Sequence, residues 1–526
     1  MATATQKKPV DEFEQIRNTL AQLAGKAIAQ DEVTLEFPKT APVTVAAAER
    51  RIGKPEEMSP EQMVEVLNEH IADQKQEAMI HQEFNARFDE VVVAMHRVFR
   101  ATFGTGGRGK KIETMFGQMP PQTANFTVGL DSRGRRVSET NVPVSPFTFA
   151  PLGPGATVHP GTWNHPQYGT LGKVTFQVRK FNSPVVDGLI KLIQQELDTN
   201  SIYKGQILDL SKGGMHAEYD LRHRYVQTDE HLVYNEDVAR DLAYEVWGKM
   251  EHSGVITSQG IKPSLKIGFE GIYGSGKTET AMITAKKATE FGMTAIIVKP
   301  GVDDRISDIA TAFRIAEMYA PALLVIEDWD KFFIDGKYTQ ADKSAITNLL
   351  EGADSKTHNV NVLWTTNDIA SIPQEMMRAG RTDYTITFGP LDRGPVERMY
   401  QDVLGPQLRD DVDFDKVYEE VKDLGPSFIR ATFDKARVYS IISNNGVPGQ
   451  PLGTDDLIQA ARVMKKQNDR FASARVVEHK EVTYDNLMKR HIAEQVSSVL
   501  NAVTIDPGNH DWELSINTEQ VQAGIR

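Results

Sequence analysis

Between Leu265 and Thr278 the chain reads LKIGFEGIYGSGKT. The first six residues have the length and apolar content of a short strand. The next eight, Gly271–Thr278, set a lysine and a threonine behind a glycine-rich turn, and TETAMITAKKATEFG continues with helical spacing to a glycine stop. Strand, glycine-rich loop and helix in that order are what a phosphate-binding loop requires. Gly271, Gly274 and Gly276 let backbone N–H groups turn inward around an anion, and the helix N-terminus adds partial positive charge. In this pattern Lys277 reaches the β- and γ-phosphates and the Thr278 hydroxyl binds Mg²⁺. The residues assigned to the nucleotide are Gly271, Tyr273, Gly274, Ser275, Gly276, Lys277, Thr278 and Glu279. The superficially similar GTGGRGKK at Gly104–Lys111 lacks a Ser or Thr after its lysine and a clear preceding strand, so it reads as a mobile basic loop.

A triphosphate site needs acids, and they follow downstream. PALLVI, Pro321–Ile326, is a continuous apolar run suited to a buried parallel strand, and it ends in Glu327-Asp328-Trp329-Asp330. One carboxylate at a strand's C-terminal end can complete a Mg²⁺ shell while its neighbour polarises the attacking water. The interval from Lys277 to Glu327 has room for a helix, a strand and a second helix. Trp329 reads as packing. A third apolar strand, Val360–Thr366, ends at Asn367, whose amide could orient that water, and Arg378 and Arg381 follow in the turn before another strand. Either arginine, read as lacking a local acidic partner, could be offered to the γ-phosphate of a neighbouring subunit.

Taken together, these segments resemble the AAA ATPases of the AAA+ class, over roughly Asp237 to Arg470. YAPALLVIEDWDKFF resembles the family's Walker B strand, WTTNDIASIPQEMMRAGRTDY its second region of homology, and LGPSFIRATFDKA the sensor-2 helix of its lid. The resemblance implies a nucleotide-binding α/β domain with a parallel five-stranded sheet, a small helical lid, and a homo-oligomeric ring, usually a hexamer, with sites between subunits. It assigns sensor 1 to Asn367 and the trans-acting arginine finger to Arg381. By position Glu327 takes the Mg²⁺-shell role and Asp328 the water-activating role, in the reverse of the family's usual Asp-Glu order. Tyr384 stands where a second finger arginine is often found, and Arg430 lies near the sensor-2 position. The loop VKPGVDDR, Val298–Arg305, lacks the aromatic–hydrophobic–Gly signature of relatives that thread peptides. SIYKGQILDL resembles a segment preceding the AAA module in bacterial and phage ATPases with β-containing N-terminal domains.

The remaining chain sets the limits. Its 526 residues suggest three or four structural units. Lys+Arg 59 against Asp+Glu 72, a net charge of −13, argues against a surface that coats nucleic acid or an anionic membrane. Zero cysteines exclude disulfides, thiolate metal sites and thiol nucleophiles. No window approaches 18 unbroken apolar residues and the N-terminus lacks a signal-peptide pattern, so a cytoplasmic protein without a membrane partner is expected. The histidines show no metal-binding spacing, which leaves ATP and Mg²⁺ as the expected cofactors.

The expected organisation is a helical N-terminal region at 1–103, an α+β substrate or partner domain at 104–230, a nucleotide-binding AAA+ domain at 231–390, a helical lid at 391–470 and a C-terminal extension at 471–526. Within this scheme a helical pattern opens at Ser59 and runs to about Phe103, and residues 172–210 form a compact strand–helix–strand unit. The stretch around Lys465 reads as a solvated basic helix face. The functional expectation is a ring-forming ATPase that remodels a protein or macromolecular complex. Its rivals are a DNA-associated motor or loader and a nucleotide-gated scaffold with weak turnover.

Overall fold

The computed structural model describes residues 75–470, except 105–110, 115–116, 213–218, 228–231, 262–264, 300–305, 335–339, 353–358 and 448. It also describes isolated positions between 65 and 73 and two short strands, Val503–Thr504 and Ser515–Ile516. The sequence readings for residues 1–58, the GTGGRGKK loop, most of VKPGVDDR and the C-terminal extension lie outside or largely outside the described residues. The described residues divide into two compact units. One holds those up to 227, 237–271 and 277–387; the other holds 232–236, 272–276 and those from 388 onward.

In the first unit, Glu77–Glu83 is a strand whose alternate residues turn inward, and it pairs antiparallel with Gly169–Arg179. This corrects the expectation of helix throughout 59–103: Ala78, Met79 and Ile80 are consecutive and so carry no helical period, and pairing with Gly169–Arg179 turns Ala78, Ile80 and Gln82 inward while Met79 stays exposed. The helix Phe88–Phe103 follows and buries Val91, Ala94, Met95, Val98 and Phe99. Asp89 and Glu90 in its first turn and Arg100 in its last complement the helix dipole. Strands Thr157–His165 and Phe147–Thr148 complete a four-stranded sheet, on which this helix and Ser183–Thr199 pack around a cluster of Phe99, Phe103, Phe147 and Phe149.

The same unit contains a seven-stranded sheet. Its order is Tyr219–His223, Ile207–Lys212, Thr294–Val298, Ala322–Ile326, Val360–Thr366, Lys266–Gly271, Tyr384–Phe388. Thr294–Val298, Ala322–Ile326 and Val360–Thr366 are buried along their whole length, as parallel strands covered on both faces must be. The helices Lys277–Glu290, Ile306–Met318 and Gln340–Gly352 connect them. The sheet corrects two expectations. It has seven strands rather than five, and the strand in SIYKGQILDL does not close a separate small domain: Ile207–Lys212 runs parallel to Thr294–Val298 and carries Tyr219–His223 antiparallel at the edge. A boundary at residue 230 therefore separates strands of one sheet.

From Lys266–Gly271 the chain leaves to one side for Thr294–Val298 and later reaches Tyr384–Phe388 on the other. Ligands of open α/β sheets collect outside the C-terminal strand ends at such a reversal.

The second unit is helical. Arg393–Leu404, Phe414–Val421, Pro426–Ser443 and residues 454–470 enclose Val396, Tyr400, Val417, Ile429, Phe433 and Leu457. Among the described residues no helix is long and apolar enough to cross a membrane.

Candidate active site

The loop that leaves Lys266–Gly271 turns through Gly274 and Gly276 at φ 77° and 97°, left-handed values that glycine adopts without cost. Gly274 is required for space as well. Within the second unit, Ser427 at the start of helix Pro426–Ser443 donates its N–H to the Gly274 carbonyl at 3.0 Å, and a Cβ on Gly274 would stand 2.0 Å from the Ser427 Oγ. Tyr273 is half exposed, and Ser275 is buried with its N–H on the Ile272 carbonyl at 3.2 Å. Arg430 is exposed on the same helix as Ser427.

In the first unit Lys277 opens the following helix. Its ammonium is buried at 6% exposure and donates to the Gly271 carbonyl at 2.6 Å. Thr278 is exposed, and Glu279 is partly buried in the first helical turn.

The acids stand at the end of Ala322–Ile326. Glu327 is 3% exposed; its N–H is held by the Val298 carbonyl at 2.9 Å, and one carboxylate oxygen lies 3.3 Å from the Lys299 ammonium. Its Oε1 is buried with no hydrogen-bond partner. A buried carboxylate oxygen without a donor is costly and calls for a cation or a donor from outside the chain. This oxygen and the hydroxyl of exposed Thr278 are of the donor type that Mg²⁺ takes when phosphates supply its other ligands. These residues therefore fit the metal expected from the sequence.

Asp328 adopts φ 49°, which costs a non-glycine residue about 1–2 kcal/mol. The turn is held by Thr365, whose hydroxyl accepts the Asp328 N–H at 3.0 Å and whose carbonyl accepts the Trp329 N–H at 2.8 Å. Trp329 is 1% exposed and packs against Phe332 and Phe333, as its sequence context suggested. Asn367 donates its side-chain N–H to Asp328 Oδ1 at 3.2 Å, and its backbone N–H to Asp330 Oδ1 at 3.2 Å. The Lys331 ammonium holds Asp328 Oδ2 at 2.7 Å, and Lys299 lies 3.9 Å from the same oxygen.

The structure thus brings Glu327, Asp328 and Asn367 together at adjacent strand ends. Arg381 is placed elsewhere. It has a local acidic partner, contrary to the sequence reading: its guanidinium donates to Glu351 Oε1 at 2.8 and 2.9 Å and to the Glu375 carbonyl at 2.7 Å. Glu351 comes from helix Gln340–Gly352, a partner that sequence spacing does not reveal. Arg378 is exposed, and its guanidinium makes no ion pair or hydrogen bond among the described residues.

Sequence reasoning missed several supports. Asp330 and Thr365 lay inside quoted motifs, where a polar residue ending a buried strand is itself a signal. Lys299 and Lys331 also flank the acids, one after a strand and the other at the start of helix Lys331–Ile334, three residues after Asp328. Lys266 is 1% exposed and donates through its ammonium to the Gly380 carbonyl at 2.6 Å. Its backbone N–H is held by Asp383 Oδ2 at 3.0 Å.

Residues 267–390 match the family model of the ATPases associated with various cellular activities, AAA. Among curated proteins, the chain is 24% identical over 196 residues to the 26S proteasome regulatory subunit 4 homolog of Encephalitozoon cuniculi (strain GB-M1), covering 35% of this chain and 46% of that protein. It is 22% identical over 234 residues to the 26S proteasome regulatory subunit 4 homolog of Schizosaccharomyces pombe (strain 972 / ATCC 24843), covering 42% of this chain and 51% of that protein. The chain spans about half the length of the curated relatives it matches.

Proposed function

This chain carries an AAA ATPase domain, and from that premise we propose that it hydrolyses ATP and uses the turnover to remodel a protein or protein complex. The observation that carries the reading is the pair of adjacent strand-end acids, buried Glu327 with its unpartnered oxygen and Asp328 held by Asn367, in the same unit as the buried Lys277. Magnesium bound with the nucleotide would offset phosphate charge, with Thr278 and Glu327 as its protein contacts.

The chain's own groups account for the rest. The Lys277 ammonium exchanges the Gly271 carbonyl for phosphate oxygens at the N-terminus of its helix. Asp328 accepts a proton from water as the water oxygen bonds to the γ-phosphorus. The bond to the bridging oxygen breaks, and its electron pair leaves on ADP. Asn367 orients the Asp328 carboxylate and the water.

We further propose that the chain forms a homo-oligomer, with a hexamer as the family-based expectation, and works in the cytoplasm. In that assembly the cation offered to the next subunit is Arg378 rather than Arg381, because Arg381 is already engaged by Glu351. The names of the relatives, regulatory subunits of a proteasome, favour a protein as what the ATPase acts on.

Phosphate release measured with Mg²⁺ and ATP tests the central claim. Lys277→Ala should lose nucleotide affinity, and Asp328→Asn should bind ATP yet turn over at least about 100-fold more slowly. Equal turnover by Asp328→Asn and the parent chain would reject the assigned base. Arg378→Ala should cut turnover with binding retained, and mixing it with Asp328→Asn should recover activity if sites are shared. Salt-sensitive stimulation of turnover by DNA would instead favour the nucleic-acid reading.

A further inference from the structure

We infer that Lys331 is a positioning residue that restrains the proposed water-activating carboxylate, holding the ATPase in a slow resting state. The inference rests on the ATP-hydrolysis reading above and concerns a residue that the phosphate-loop pattern does not assign.

Both oxygens of Asp328 already hold donors: Asn367 Nδ2 on Oδ1 at 3.2 Å and the Lys331 ammonium on Oδ2 at 2.7 Å. The tighter partner is the cation. Lys331 follows Asp328 by three residues, and its backbone N–H also bonds to the Asp328 carbonyl at 3.0 Å, so acid and cation are tied by one short turn at both main chain and side chain. The Asp328 backbone has no slack to compensate, because φ 49° and the bond to Thr365 fix where the side chain begins.

Aspartate is also one methylene shorter than glutamate. A longer acid could keep such an ion pair and still extend toward a water; Asp328 must loosen from Lys331 to do so. Both bonds end on an ionised carboxylate, but only Lys331 is ionised on the donor side as well, and its contact is shorter, 2.7 against 3.2 Å, so Lys331 governs the carboxylate more than Asn367 does. The restraint is nevertheless a modest one. Lys331 is 46% exposed, and ion pairs at such positions are screened and worth little, which makes this contact releasable rather than a permanent block.

The test compares the full-length chain with Lys331→Met, Lys331→Arg and Asp328→Asn, measuring kcat, KM for ATP and nucleotide affinity at saturating Mg²⁺. Lys331→Met should raise kcat about three- to five-fold, the range an exposed ion pair can supply, with KM and affinity unchanged. Lys331→Arg, which keeps the cation, should restore the slow rate. A merely structural lysine would give lower kcat on removal, or a change in KM. Unchanged or reduced kcat in Lys331→Met, with the Asp328→Asn chain still inactive, overturns the restraint while leaving the ATPase reading in place. Where the parent turns over, Asp328→Asn turning over at the same rate overturns the ATPase site itself. Turnover that is absent in the parent but present in Lys331→Met supports the restraint strongly.

Discussion

Gly268 sits in the strand that feeds the nucleotide loop, directly across from Trp364 on Val360–Thr366. A Cβ there would fall 2.3 Å from the indole, whose side chain is 2% exposed and has no room to retreat. Space, not backbone conformation, therefore dictates the glycine. Gly268→Ala should destabilise the domain by about 1–3 kcal/mol, and Trp364→Leu in the same chain should recover part of that loss. Thermal unfolding of the two single variants and the double variant checks this; additive losses would remove the proposed contact. The LKIGFE pattern identifies the strand, and a glycine inside a strand signals close approach, but nothing local says that the approaching group is a tryptophan far along the chain. The same division runs through the site. Glu327, Asp328 and Asn367 are legible because strand-end acids and amides have fixed chemical tasks. Glu351 beside Arg381, and Lys299 beside Asp328, depend on which elements meet in space.

Elements show a parallel limit. Period-two alternation marks Ile207–Lys212 as a strand, yet its hydrogen-bonding partner, Thr294–Val298, lies beyond the whole nucleotide loop. Pattern is a property of one segment, whereas pairing is a property of two, so strand type was readable and sheet membership was not. The strand Lys266–Gly271 and the arginine turn are coupled in this way. The Lys266 ammonium holds the Gly380 carbonyl, and its main chain exchanges hydrogen bonds with Asp383 on the other side of Arg381. Lys266→Met keeps the apolar stem but releases Gly380. Hydrogen bonds from a charged donor contribute about 1.5–3 kcal/mol, enough to free the Arg378–Arg381 turn from a single arrangement. Turnover should fall about ten-fold with ATP affinity nearly intact, since misplacing a group remote from the reacting atoms costs rate more than binding. Loss of affinity equal to the loss of turnover would show instead that Lys266 supports the phosphate loop alone.

At the scale of the whole molecule, the notable feature is a buried acid where the N-terminal helix Phe88–Phe103 meets the seven-stranded sheet's helices and loops, all within one compact unit. Glu90, 3% exposed, accepts hydrogen bonds from Ser201 and from the Tyr319 hydroxyl, the latter at 2.5 Å, while neighbouring Asp89 accepts from Tyr203 and lies 3.7 Å from Arg87. Burial pushes the Glu90 carboxyl up to about 7; Asp89 adds to the rise, and the bonds from Ser201 and Tyr319 oppose it. Burial likewise raises Tyr203 and Tyr319 well above the usual phenol range, so both stay protonated donors. Because the folded chain holds the Glu90 proton more tightly than the unfolded chain, stability from this site is full below the unfolded value near 4.5 and falls as pH rises to about 7. Integrated over that interval the loss is roughly 3 kcal/mol. Glu90→Gln retains a hydrogen-bonding side chain but cannot titrate. Hydrogen exchange of the Phe88–Phe103 amides, corrected for intrinsic rates, should therefore show local stability in the parent chain dropping between pH 4.5 and 7. The Gln variant should lack that component and be the more protected of the two at pH 8. Equal pH slopes in both chains would mean that Glu90 is charged in the folded state and that its burial is offset by Arg87 and the two hydroxyls that donate to it.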